Sequence, residues 1–178
     1  SMAYFVANES VALASSFAAP AWACTGCFGC REHCDHKNDV TGTLFEARSA
    51  LVDAGVAPEG AKRVLDRFTE RTSALGKTAH DPRVADSVDP TARVAVLVGC
   101  EHARHGTAGG VDTVQAVARL TGSKVAVLDV CCGAPLLYAG DQKRFQEQGE
   151  KMRQLSDELA QPARRPRHRR RVRPHRGQ

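Results

Sequence analysis

Aromatic residues are scarce in this chain: its 178 residues include one Trp, two Tyr and six Phe. A hydrophobic core must therefore be built mainly from Ala, Val and Leu. Long apolar runs are also missing, since no stretch approaches the roughly 18 residues that a bilayer-spanning helix needs. No Lys or Arg precedes Arg31, so the apolar segment before it lacks the positive region of a secretory signal. We expect a globular protein of the cytoplasm with no transmembrane segment.

Basic charge is scarce outside the end of the chain. The formal net charge is +5, but residues 162–178 contain eight arginines and no acidic residue. Without them, acidic residues outnumber basic ones, so the body lacks the positive surface typical of nucleic-acid-binding domains. We expect the Arg-rich tail to be disordered and to have no specific nucleic-acid target.

Cysteine, in contrast, is plentiful and clustered. Four of the seven cysteines form the motif Cys24-Thr-Gly-Cys27-Phe-Gly-Cys30-Arg-Glu-His-Cys34, which has the spacing C-x2-C-x2-C-x3-C. This spacing wraps a backbone around a cube-shaped iron–sulfur cluster, and glycines allow the close approach. An odd, clustered cysteine count argues against a secreted disulfide framework. The motif predicts a [4Fe–4S] cluster bound by these four thiolates.

Two questions stay open for this motif. Structural zinc usually pairs two C-x2-C units across a longer loop, but His33 or His36 could replace a thiolate on zinc. The alternative function is thus a zinc-binding module whose basic tail contacts nucleic acid. In two-cluster ferredoxins the fourth cysteine ligates the other cluster, so Cys34 could close its own cluster or serve another.

The hydrophobic pattern changes from helical periodicity to short apolar runs along the chain. The predicted organisation is a helical iron–sulfur region (1–76), a linker (77–92), an α/β cysteine-rich domain (93–161) and a disordered Arg-rich tail (162–178). In the first region, Pro20 should end an Ala-rich helix over about 5–23, Thr43 should cap the next helix, and Pro58 should open a third.

Two apolar runs predict buried parallel strands in the second half. They are R-V-A-V-L-V-G at 93–99 and K-V-A-V-L-D-V at 124–130, and they flank a helix predicted at about 111–120. This order makes one right-handed βαβ unit. A long polar helix is predicted to follow at about 141–159.

Cysteines follow both predicted strands. Cys100 comes after the first strand, and Cys131 and Cys132 come after the second. Because the carboxyl ends of parallel strands meet at one edge of a sheet, we expect these thiols to lie close together. They could form a second metal or redox site, or remain buried, inert thiols.

Together, the first motif, V-G-C at Cys100 and C-C-G-A-P from Cys131 resemble a known family over about residues 3–155. The chain is similar to iron–sulfur oxidoreductases with a cysteine-rich CCG domain. These include heterodisulfide reductase subunits and the iron–sulfur subunits of glycolate oxidase, lactate-utilisation and anaerobic glycerol-3-phosphate dehydrogenase systems. The resemblance implies an α/β protein in which a helical, ferredoxin-like N-terminal half precedes a partial CCG domain with parallel strands.

The resemblance also implies a function. It points to an electron relay from a 2-hydroxy-acid or similar dehydrogenase towards a quinone or disulfide acceptor, with no catalytic residue in this chain. It implies that Cys100, Cys131 and Cys132 bind a cluster or form a disulfide-active site. The expected partners are redox subunits of the flavin dehydrogenase or the quinone or disulfide reductase type, with a peripheral membrane complex as one setting.

The chain also departs from the family pattern. It has one ferredoxin motif where the family usually has two, no cysteine after Cys132, and no second CCG domain. We therefore interpret the sequence as a truncated copy. Whether three thiolates suffice for the second site is left open.

Overall fold

A computed structural model describes residues 14–73, 75–100, 102, 106–128 and 130–160. The Arg-rich tail (162–178) and the first part of the predicted N-terminal helix lie outside these residues. The helices are α1 (Ser15–Trp22), α2 (Gly29–Glu32), α3 (Val40–Asp53), α4 (Glu59–Asp66), α5 (Phe68–Ser73), α6 (Gly76–Ala79), α7 (Ala108–Thr121), α8 (Ala134–Ala139) and α9 (Gln142–Ala160). The strands are β1 (Ala95–Leu97) and β2 (Ala126–Leu128), and a 3-10 turn covers Pro82–Val84.

Helix α1 packs against α3 through small side chains. Ala18 and Ala21 are buried against Leu51, with Trp22 at the edge of the cluster. The prediction that Pro20 ends this helix is wrong, because α1 continues through Trp22. A proline there removes a single backbone hydrogen bond, and the buried alanines on either side of it keep the final turn packed.

Helix α3 begins earlier than the sequence suggested. Its cap is Asp39, whose carboxylate accepts a 3.0 Å hydrogen bond from the Gly42 N–H. The predicted cap at Thr43 is therefore wrong, and the Thr43 hydroxyl donates instead to the Asp39 carbonyl. A carboxylate at the helix start satisfies an otherwise free N–H and interacts well with the helix dipole, so Asp39 is the better cap. Helix α4 does begin after Pro58, as predicted.

The second half has the predicted βαβ arrangement, and the α/β fold class is confirmed. Strands β1 and β2 pair in parallel with Ala95 opposite Ala126, and α7 connects them. Val88 extends the pairing through a bridge to Val125. Within the predicted linker, Val84 is fully buried in the main hydrophobic core. The domain boundaries themselves stay a prediction.

A third cluster of alanines joins the two halves. Ala57, just before α4, and Ala61, in its first turn, are buried against Ala139 of α8, with Trp22 and Val64 packed around them. Helix α8 directly follows the second cysteine motif, so this packing holds that motif against the N-terminal helices. Among the described residues, no helix has both the length and the apolar character required of a membrane span.

Candidate functional site

The four-cysteine motif forms an irregular loop between α1 and α3, interrupted only by the single turn of α2. The Cys27 and Cys30 side chains are exposed, whereas Cys24 and Cys34 are half-buried. Two non-glycine residues in this region, Phe28 and Lys37, have positive φ angles of 59° and 51°. Such conformations are costly for L-residues and concentrate at functional sites. Two residues of the loop thus adopt a backbone conformation that residues other than glycine rarely take.

Backbone N–H groups of this loop point at cysteine sulfurs. The Gly26 N–H donates to Cys24 Sγ at 3.4 Å. The Gly29 N–H, followed by the Thr25 side chain, lowers the pKa of Cys27. At the other end of the loop, N–H groups of residues 36–38, Asn38 foremost, lower the pKa of Cys34. Donors of this kind stabilise the thiolate, which is the form of cysteine that binds metals.

A buried hydroxyl lies beside the third cysteine. Thr41, on the first turn of α3, is 1 % exposed, and its Oγ1 lies 3.8 Å from Cys30 Sγ. Hydrogen bonds from neighbouring groups to cluster-binding sulfurs tune the reduction potential of iron–sulfur centres. Thr41 is therefore positioned to adjust the electronics of anything that Cys30 binds.

Arg48 of α3 connects the loop to the second half of the chain. Its side chain is 1 % exposed, and it donates from Nε to the Ala21 carbonyl (2.9 Å), from Nη2 to the Cys24 carbonyl and from Nη1 to the Tyr138 carbonyl (3.1 Å). The guanidinium also lies over the Phe45 ring, 4.6 Å from the centroid. Burial lowers the pKa of Arg48, while the nearby Cys24 thiol and Tyr138 phenol oppose that shift. The Arg48 guanidinium therefore links the Cys24 carbonyl to the Tyr138 carbonyl of α8.

The first glycine of the cysteine loop is held in a tight aromatic contact. Gly26 has φ +74°, and a Cβ there would lie 3.0 Å from Phe45 Cζ and 3.1 Å from Tyr138 Cε1. The two rings meet edge to face, with centroids 5.7 Å apart. Glycine is needed here both for the backbone angle and for the space. Tyr138 therefore contacts the first cysteine loop with its ring while its carbonyl binds Arg48.

The second group of cysteines lies at the ends of the two strands. Cys131 lies in the main hydrophobic core and Cys100 packs against the same core, in agreement with the expectation that the strand ends lie close together. Cys131 is buried (3 % exposed), and the Gly133 N–H donates to its sulfur at 3.5 Å. Burial raises the pKa of the Cys131 thiol to about 11, against the effect of the Gly133 N–H. The Gln148 amide donates to the Cys131 carbonyl at 2.7 Å and fixes this turn to α9.

An apolar cavity of about 680 Å³ opens beside the second cysteine group. Trp22, Val64 and Pro135 are among its apolar walls, and Cys100 and Cys132 line one side. Its volume is in the range of small-molecule sites. Arg71 brings a positive charge to this otherwise apolar lining.

The chemistry of the donor set fits an iron–sulfur cluster at the four-cysteine loop. Four thiols share one short loop with N–H donors directed at sulfur, the surroundings that such clusters require. Within the described ranges, no three His, Cys, Asp or Glu side chains are gathered at metal-binding spacing. His33 and His36 are both exposed. The ligand roles of all seven cysteines stay predictions.

Sequence reasoning missed the residues that support the cysteines. In the sequence, Arg48 and Thr41 look like ordinary polar residues of a helix. Gln148 looks like one of several residues on the polar face of a helix. Their roles depend on contacts with carbonyls and sulfurs far away along the chain. A helix position carrying Arg on an otherwise apolar face is the one signal that could have drawn attention to Arg48.

Part of the chain matches a known family model. Residues 94–162 match the model of the CCG cysteine-rich domain family. This type of domain occurs in iron–sulfur oxidoreductase subunits, which supports a redox role in general terms. No curated protein and no solved structure matches the chain significantly.

Proposed function

We propose that this protein is an electron-transferring iron–sulfur component of an oxidoreductase complex. A [4Fe–4S] cluster would be held by Cys24, Cys27, Cys30 and Cys34. The observation that carries the proposal is the loop itself, in which N–H groups face the sulfurs of cysteines that follow one another closely in the sequence. The CCG domain match supports the same class of function.

When bound, the cluster would supply one-electron chemistry, and the chain would supply its surroundings. The Gly26 N–H and the Thr41 hydroxyl would lower the energy of the reduced, more negative state by donating towards sulfur. Arg48 would add a buried positive charge behind Cys24. These groups would hold the cysteine loop in place and adjust the reduction potential of the cluster. None of them needs to transfer a proton or attack a bond.

The resemblance of the two cysteine motifs supports a finer proposal about partners. The chain would relay electrons within a complex of the 2-hydroxy-acid dehydrogenase or heterodisulfide reductase type, alongside flavin-, quinone- or disulfide-linked subunits. Cys100, Cys131 and Cys132 would form a second redox site next to α8. A reducing, cytoplasmic setting is part of the proposal, because an odd number of clustered cysteines is unsuited to a secreted disulfide framework.

Anaerobic preparation with metal and sulfide analysis tests the proposal. We expect iron and acid-labile sulfide in equal amounts, near four per chain for one cubic cluster, and a paramagnetic signal after chemical reduction. Cys27→Ser should abolish or strongly diminish all three, whereas Ala50→Ser, at an exposed position of α3 outside both cysteine groups, serves as the control. Stoichiometric zinc without sulfide would replace the proposal by the zinc-module alternative. A colourless protein after reconstitution with iron and sulfide would refute it.

A further inference from the structure

We propose that the apolar cavity beside α8 binds an apolar monocarboxylate, such as a medium-chain fatty acid, and that Arg71 holds the carboxylate of this ligand. The inference goes beyond the proposed function, because it requires no cluster at either cysteine group, no electron transfer and no reaction of a thiol. It assigns a class of ligand to the cavity of about 680 Å³ described above.

Both halves of the chain contribute walls to the cavity. Trp22, at the end of α1, and Val64, on α4, line it from the N-terminal half, and Pro135 and Ala139 line it from α8. The buried contact between Ala61 and Ala139 packs α4 directly against α8. A ligand would therefore enter a space that the packing of these helices has already formed, as is usual for small-molecule sites.

Arg71 of α5 supplies the charge in this lining. It takes part in none of the ion pairs formed within the described part of the chain. Arg144, by contrast, is paired with Asp141. The Arg71 side chain is half-buried, so its charge is partly removed from water and interacts more strongly with an anion than a fully exposed charge would. The cavity therefore offers a cation that a bound anion can neutralise.

The lining indicates both the charge and the polarity of the ligand. One guanidinium matches one carboxylate, to which it can donate two parallel hydrogen bonds. A ligand with two or more negative charges would bring charge that Arg71 alone does not balance. Most of the remaining lining is apolar, so an apolar chain bound there is removed from water. Small hydrophilic acids such as lactate would leave that apolar wall uncovered, and we expect them not to bind.

Calorimetric titration of the full chain, prepared without oxygen, tests the proposal with octanoate as the probe. We expect one octanoate to bind per chain. Octanol has the same apolar chain without the charge and should bind at least about tenfold more weakly, because a hydrogen bond to a charged group is lost. Lactate has the carboxylate without the apolar chain and should give no measurable binding. Absence of octanoate binding, or equal binding of octanol, would overturn the proposal.

Two arginine variants test the role of the charge. Arg71→Gln should weaken octanoate binding at least about tenfold and leave octanol binding unchanged, because only the contact with the carboxylate is lost. Arg67→Gln is the matched control, since Arg67 carries the same charge one helical turn earlier, is exposed and lies outside the lining. Unchanged octanoate binding in Arg71→Gln, or an equal loss in both variants, would overturn the assignment of Arg71.

A glycine in the lining allows the cavity to be filled without disturbing the core. Gly60 lies at an exposed position of α4, and a Cβ added there would meet no atom within 4 Å. Gly60→Phe should therefore fold normally and obstruct the cavity. Gly149→Phe is the matched control, because Gly149 has equally open surroundings on α9 and lies outside the lining. We expect octanoate binding to be lost in Gly60→Phe and kept in Gly149→Phe, and full binding in both would overturn the location.

Trp22 reports the location independently. It is the single Trp of the chain and lines the cavity, so ω-bromooctanoate bound there should quench its fluorescence relative to the same protein without ligand. An excess of octanoate should restore the emission. Binding without quenching would place the ligand elsewhere and overturn the proposal. Iron and sulfide measured on the same samples report the four-cysteine loop separately.

Discussion

Arg48 and Tyr138 stand 90 positions apart in the chain, yet the Arg48 guanidinium donates a 3.1 Å hydrogen bond to the Tyr138 carbonyl. The same guanidinium binds the Cys24 carbonyl, so it connects the first cysteine motif with the helix that follows the second. Helix α8 is six residues long, about 9 Å of rise. Cys24 is therefore connected to the C-terminal part of α8, and Cys131 and Cys132 precede its N-cap, Gly133.

Replacing Arg48 should destabilise the protein strongly. Arg48→Met removes the donor of three carbonyls, of which that of Ala21 is buried and those of Cys24 and Tyr138 are partly buried. We expect a loss of about 3 kcal/mol in the free energy of unfolding. Urea denaturation under reducing conditions measures this loss. Arg63→Met is the matched control, because Arg63 is exposed on α4 and should cost less than about 0.5 kcal/mol. Equal stability of the two variants would show that the Arg48 contacts contribute little.

Gly26→Ala should disrupt the first cysteine loop. It imposes a left-handed backbone on alanine, which costs about 1–2 kcal/mol, and its Cβ would press against the Phe45 and Tyr138 rings. Gly55→Ala separates the two effects, because Gly55 has φ +73° with open space around the added carbon. We expect both variants to lose stability, but only Gly26→Ala to lose iron on reconstitution. Similar iron content in both would contradict the proposed tight fit.

Thr41→Val should lower the reduction potential of a cluster bound at the four-cysteine loop, and the two side chains have nearly the same shape. Losing one hydrogen bond of about 1 kcal/mol towards Cys30 should lower the potential of a bound cluster by about 40 mV for a one-electron step. A potentiometric titration monitored by electron paramagnetic resonance measures the shift. Thr43→Val is the control, since the exposed Thr43 hydroxyl bonds the Asp39 carbonyl instead. An unchanged potential in Thr41→Val would remove Thr41 from the tuning groups.

Thiol reactivity in the metal-free protein should follow the two opposite pKa shifts. Hydrogen bonds lower the pKa of Cys27, and burial raises that of Cys131 to about 11. At neutral pH, iodoacetamide should therefore modify Cys27 early and Cys131 last, as followed by mass spectrometry. Modification of Cys131 should accelerate as the pH approaches about 11. In urea the difference should disappear, and a difference that survives unfolding would contradict this explanation.

Local sequence signals predicted the elements that carry the cysteines. Apolar runs predicted both strands, Pro58 predicted the start of α4, and the strand ends predicted that Cys100 and Cys131 lie at the same edge of the sheet. The starts of helices were predicted less accurately, since the cap of α3 is Asp39 and not the predicted Thr43. Two acceptable capping residues lay within one turn, and only the folded backbone decided between them.

The sequence alone predicts the spacing of the four cysteines and the order strand–helix–strand, because each feature depends on residues close together in the chain. The sequence by itself therefore determined the α/β class and the chemistry of the candidate ligands. Tertiary structure alone decided that Arg48 joins Cys24 to Tyr138, that Thr41 lies beside Cys30 and that a cavity opens at Cys100. The reason is that these contacts form between distant segments, and no local preference for helix or strand specifies which distant side chains will meet.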